Sequence, residues 1–143
     1  MLANQDRVHS VQQILRVLFG VVPIVAGADK FFNLLTNWEQ YVNPTLERLL
    51  PFSTTTFMHI AGVIEIAAGV IVLSRFTVYG AYLVSAWLAL IAISLIASGH
   101  YLDVAVRDLV MSASAYSLAT LSRVHQEQSG TNYKQATART IPA

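Results

Sequence analysis

Glu65 is the residue best placed to do chemistry. It lies about eleven positions into an apolar stretch, 55–74, where no other ionisable side chain occurs except His59. An unpaired carboxylate at the centre of a membrane helix costs roughly 3 kcal/mol on insertion scales, so Glu65 must be protonated or partnered inside the protein. Arg16 is a candidate partner from one side, and Lys30 or Arg107 from the other. Two roles stay open at this point: a polar clasp between helices, or a group that binds a ligand or handles protons.

A second polar set marks the ends of the apolar stretches: Asp29, Lys30, His59, His100, Asp103, Arg107 and Asp108. Asp103 and Arg107 are four residues apart and can pair along a helix. Asp108 then points about 100° further round, toward another helix. The set reads either as an ion-paired rim at headgroup level or as the mouth of a pocket that orients a ligand head.

Other chemistries find less support. There is no cysteine, which excludes disulfides and thiolate metal sites. His59 and His100 have no second histidine at helical ligand spacing, and no metal site is expected. His9 and His125 fall in polar flanks. No phosphate-binding glycine loop or serine hydrolase signature is present. Nine Lys or Arg oppose eight Asp or Glu, so no net basic field exists to hold nucleic acid.

The elements that must position these groups are membrane helices. Of the 143 residues, 55% are hydrophobic and 12% charged, against about 25% charged in a soluble domain. The apolar residues gather in four stretches, 14–35, 55–74, 78–99 and 104–122, each near the ~20 residues that cross a bilayer core. Backbone groups in hydrocarbon must bond internally, so all four read as helices. The first carries Arg16 at its start and exceeds a signal-peptide core in length, so it is expected to be retained. Ser10 with Gln13, Ser53 with Thr54, and Asp103 are the expected caps for the first, second and fourth stretches.

Residues 36–53 form a longer connector in which Asn43 and Pro44 start a short helix. Leu46, Leu49 and Leu50 share one face of it, with Trp38, Tyr41 and Phe52 nearby. This element either lies in the membrane interface or forms a lid on the bundle. Residues 124–143 are polar and read as a mobile cytoplasmic tail after a domain of residues 1–123.

Small and polar residues mark the seams. Arg16, Gly20, Pro23, Gly27 and Lys30 make one stripe, and Gly62, Glu65 and Gly69 another. Gly80, Trp87 and Ser94 mark the third stretch, while Ser112, Ser114, Ala115, Ser117 and Ala119 mark the fourth. Lipid supplies no hydrophobic drive for helix association, so such stripes face protein. The expected fold is all-α, an integral-membrane four-helix bundle, up-down-up-down, with a short interfacial helix between the first two spans. Arg7, Arg16, Arg75, Arg123, Lys134 and Arg139 fall on the side of both termini, against Lys30, Arg48 and Arg107 opposite. The positive-inside bias puts both termini in the cytoplasm.

Residues 16–20, Arg-Val-Leu-Phe-Gly, and 26–31, Ala-Gly-Ala-Asp-Lys-Phe, resemble the first helix of the DoxX-like membrane proteins. Residues 62–69, from Gly62 through Glu65 to Gly69, are similar to that family's glycine and glutamate pattern. Arg107-Asp108-Leu109 offers a third match, and the resemblance extends over residues 11–122. It implies a small four-helix protein of the bacterial cytoplasmic membrane, with relatives in quinol oxidase and thiosulfate:quinone oxidoreductase systems.

The chain carries no electron carrier of its own and no covalent cofactor is expected, so a redox centre would belong to a bound quinone or a partner subunit. The functional expectation is an accessory membrane subunit, or a bundle binding a quinone- or lipid-like molecule, attached to a respiratory or other redox complex. Arg16, Asp29, Lys30, His59, Glu65, Arg107 and Asp108 would form its polar network. Its partners would be the bilayer and other membrane subunits or a second copy of the chain. The alternatives are a stand-alone quinone-linked oxidoreductase component and a small-solute transporter, the latter suggested only by Pro23.

Overall fold

The computed structural model describes the backbone of residues 2–140 and the side chains of residues 6–127. The fold is all-α. Helix α1 spans Leu2–Asp29, a 3₁₀ turn Trp38–Tyr41, α2 Pro44–Leu49, α3 Thr54–Leu73, α4 Thr77–Ser98 and α5 Leu102–Thr140. The four main helices form a closed ring in which α1 packs on α3, α3 on α4, α4 on α5 and α5 back on α1. Helices α1, α3 and α4 are each long and apolar enough to cross a membrane. In α5 the two charges of Arg107 and Asp108 and a run of serines dilute the apolar character.

Helix α3 begins where the sequence predicts, because the Ser53 hydroxyl accepts the Thr56 amide at 3.2 Å. Asn43 likewise caps α2, accepting Thr45 N–H at 2.9 Å with Pro44 in the first turn. Two expected caps are not caps. Ser10 lies inside α1 and bonds back to Asp6 O at 2.9 Å, since α1 starts about three turns earlier than its apolar run. Asp103 lies in the first turn of α5, one residue inside its start, where a negative charge favours the positive end of the helix dipole.

The far end of α1 also departs from the apolar pattern. Residues 31–35 would continue the hydrophobic stretch, yet the helix stops at Asp29. The Asp29 carboxylate takes the Leu34 amide at 2.9 Å and the Leu35 amide at 3.1 Å, and Asn33 adopts φ 51°. A side chain that captures backbone donors in this way competes with the next helical turn and ends it. Phe32, Leu34 and Leu35 are therefore left exposed at the end of the bundle, at the depth where interfacial anchors sit.

The polar stretch after residue 123 starts as a continuation of α5, which runs without a break to Thr140. No proline interrupts it before Pro142, and Arg123 pairs with Glu127 one turn on at 3.3 Å. The last residues of the expected tail, 141–143, lie outside the described residues.

Helices α1 and α3 touch backbone to backbone. A Cβ on Gly62 would meet Gly27 O at 2.6 Å, and one on Gly27 would meet Gly62 O at 2.5 Å. Gly20 and Gly69 repeat the contact seven residues away on each helix, one heptad along an antiparallel seam. The core beside it is built from Phe19, Ala68, Val72, Ala81, Val84, Ala115, Leu118 and Ala119. Between α4 and α5, the Ser85 hydroxyl donates to Ser112 O at 2.9 Å and the Ser112 hydroxyl to Ser85 O at 2.8 Å. Ser117, expected on that seam, faces outward and bonds back to Ala113 O.

The opposite surface of α1 carries Val11, Ile14, Val17, Leu18, Val21, Val22 and Val25 in the open. Such a row is stable only against acyl chains or another apolar protein surface.

Candidate functional site

Glu65 finds its cation just past the end of α1. Lys30 Nζ donates to Glu65 Oε2 at 2.6 Å, and both side chains are at least nine-tenths buried. The partnership follows from the α1–α3 seam: Gly27 and Gly62 bring the backbones together, which sets Lys30 and Glu65, three residues further on each, beside the crossing. The other carboxylate oxygen, Oε1, accepts Trp87 Nε1–H from α4 at 3.2 Å. Three helices thus meet at one carboxylate.

The pair is roofed from the connector. The Trp38 ring lies over the Lys30 ammonium, 3.7 Å from nitrogen to ring centre, where the ring quadrupole attracts a cation. Trp38 is held by its own N–H, which donates to Asp29 Oδ2 at 2.7 Å. The same Asp29 therefore ends α1 and aims the indole that covers Lys30.

The connector is fastened on both sides of this roof. Asn43 Nδ2 donates to Ser94 O on α4 at 3.3 Å, and Thr55 on α3 donates to Glu39 at 2.6 Å. Leu49 is 76% exposed while Trp38 lies against Lys30. Both expectations for this element hold in part, a lid at its start and an apolar interfacial surface at its end.

Asp108 on α5 is buried, 5% exposed, and lies within electrostatic reach of Lys30. It forms an ion pair with its neighbour Arg107 at 3.3 Å. The expected pairing of Asp103 with Arg107 along α5 is replaced by this contact, since the Arg107 side chain lies mostly in the open and folds back over Asp108. His59 stacks on Phe31 with ring centres 4.7 Å apart, and it stands beside the network rather than in it. His100 is exposed; its ring Nδ1 lies 2.7 Å from Ser98 O, and its backbone N–H donates to the Ser98 hydroxyl at 3.2 Å.

Arg16 lies at the other end of the bundle. Its Nε donates to Val72 O at 3.2 Å and its Nη2 to Leu73 O and to Ser74 O. These carbonyls end α3, so Arg16 caps a helix C-terminus, where a cation complements the dipole. Of the candidate partners, Lys30 meets Glu65 and Arg16 does not. Trp38 and Trp87 are part of the network, although the sequence placed Trp38 only beside the interfacial element and Trp87 only on the seam of the third stretch. An indole N–H in an apolar setting needs an acceptor, and that was the available signal.

Among the described residues no three His, Asp or Glu side chains converge as a metal site would require. No buried side-chain nitrogen or oxygen among them lacks a hydrogen-bond partner.

Three long apolar helices, a fourth packed with them and an ion pair hidden between them define an integral-membrane helical bundle. The chain belongs to the DoxX family, whose model matches residues 11–98, from α1 through the end of α4. Arg107-Asp108-Leu109 on α5, read from the sequence as a third point of resemblance, falls beyond the matched residues. Comparison with curated proteins and with solved structures finds no significant match.

Proposed function

We propose that this chain is an accessory membrane subunit of a respiratory or other redox complex, and that its Lys30–Glu65 centre meets the polar head of a quinone- or lipid-like molecule. The carrying observation is an imbalance: Asp29, Glu65 and Asp108 are buried, and Lys30 is the buried cation among them. Asp29 is quenched by amide and indole donors, while Asp108 leans on the mostly exposed Arg107 and, more weakly, on Lys30, which is already bound to Glu65. Such a centre binds a proton or a polar head group more readily than a balanced pair does.

The donor set fits a quinone head, since the ammonium of Lys30 and a protonated carboxyl can each donate to its carbonyl oxygens. A bound quinone would supply the electron chemistry that the side chains lack. Trp38 is the group that must move to admit it, because the indole covers Lys30 from the connector side. The apolar row of α1 is the surface offered to lipid or to a partner subunit. Arg7, Arg16, Arg75 and Arg123 at one end, against Lys30, Arg48 and Arg107 at the other, support a cytoplasmic placement of both termini.

Transport has less support, since it calls for discontinuous helices and α1 runs unbroken through Pro23. Mass spectrometry of the gently solubilised native assembly tests the proposal. The expected result is co-purifying redox subunits and a bound quinone- or lipid-sized molecule; an isolated, ligand-free chain would count against it. Glu65→Gln should lower turnover of the assembly more than its abundance, and equal loss of both would reduce Glu65 to a structural clasp.

A further inference from the structure

A second polar site lies at the opposite end of the bundle from Glu65. A cleft of about 220 Å³ opens between α1, the α3–α4 turn and the start of the polar part of α5. That space is several times the ~30 Å³ that one water molecule occupies in the liquid. His9, Arg16, Arg75 and His125 line it, with Gln12 and Ser122 at its floor. Gln12 donates to the Ser122 hydroxyl at 3.0 Å, and both are buried. Among the described residues no carboxylate lines the cleft. On α5, Glu127 is engaged with Arg123 at 3.3 Å.

The two guanidinium groups keep capacity to bind. Arg16 uses Nε and Nη2 to cap α3, which fixes its guanidinium and leaves Nη1 over for another acceptor. Arg75 lies across the Phe76 ring at 5.0 Å and donates no hydrogen bond among the described residues. The imidazoles of His9 and His125 stand 5.5 Å apart. Two guanidinium groups lining one cleft repel each other, and an anion between them lowers that cost.

We infer that this cleft binds a phosphate group, with Arg75 and the free edge of Arg16 as its cationic clamp. Guanidinium groups match phosphate oxygens in geometry, and polar hydroxyl and amide groups at the floor complete the set. Depth favours a phospholipid as the source. The apolar spans of α3 and α4 end at Leu73 and begin at Thr77, so the turn between them lies at headgroup level. Basic pockets between helices at that level bind anionic headgroups.

The experiment is native mass spectrometry of the full chain in detergent, titrated separately with phosphatidylglycerol, phosphatidylcholine and inorganic phosphate. Arg75→Gln is the test variant, since Arg75 is exposed and holds no helix end. Arg48→Gln, an exposed arginine at the other end, is the control. Phosphatidylglycerol should bind in preference to phosphatidylcholine, and Arg75→Gln should weaken it about tenfold, as loss of one charge-assisted contact does. Arg48→Gln should leave it unchanged. Inorganic phosphate binding with the same dependence on Arg75 would uphold the site and make its occupant soluble. Equal binding of both lipids with no phosphate binding, or anion binding indifferent to Arg75→Gln, would overturn the inference.

Discussion

Lys30 and Glu65 show why a charge inside a membrane bundle is informative. Each alone would be intolerable there, and together they are bound at 2.6 Å. Removing one member of a buried pair strands the other, at a cost of about 3–5 kcal/mol. Glu65→Ala should therefore lower the unfolding free energy by that order, measured by denaturation in mixed micelles. The double variant Lys30→Met with Glu65→Leu should recover most of the loss, since apolar replacement leaves neither partner stranded and Arg107 remains beside Asp108. A double variant as unstable as the single one would mean that the two side chains do not depend on each other.

Arg16 behaves differently, because its partners are carbonyls at a helix end. Arg16→Gln should cost about 1–3 kcal/mol and should raise amide hydrogen exchange in the turn after α3. Exchange unchanged there would deny it the capping role.

Among the elements, α3 and α4 were legible almost to the residue. Their apolar runs are bounded by Ser53 at one end and Gly99 at the other, the latter in the left-handed conformation at φ 69°. The termination of α1 was not legible, because the five residues after Lys30 are mostly apolar and only the reach of the Asp29 carboxylate decides that they turn away. Hydrophobic periodicity reads side-chain burial, and it is silent about a side chain that captures backbone amides six residues on.

The close seam between α1 and α3 gives a test at this scale. Gly62→Val would drive its side chain into Gly27 O, which is backbone and cannot rotate aside. A loss of at least about 1–3 kcal/mol is expected from such overpacking, visible as reduced yield of folded protein and a lower melting temperature. Unchanged stability would mean that the two helices are not in backbone contact.

For the whole molecule, topology is the property most open to measurement. The chain has no native cysteine, so single introduced cysteines report without background. In oriented membranes, cysteines at Asp6 and Arg75 should react from one side, and cysteines at Leu49 and His100 from the other. Reaction of all four from a single side would break the bundle topology. Labelling of Asp6 and Arg75 only after the cytoplasmic face is opened would support the orientation proposed from the basic residues.

Composition and the spacing of apolar stretches were enough to determine that this chain builds helices that live in lipid, because hydrocarbon permits few other closed arrangements of the backbone. They also determined that Glu65 must be protonated or partnered inside the protein. Which cation answers it was a tertiary decision. Arg16, Lys30 and Arg107 were equivalent on paper, and only the Gly27–Gly62 crossing brings Lys30 into contact. The roof of Trp38 and the basic cleft around Arg75 were settled the same way, by residues far apart in the chain meeting where helices end. A one-dimensional pattern records the period of an element, whereas the depth and rotation at which two elements cross depend on both surfaces at once.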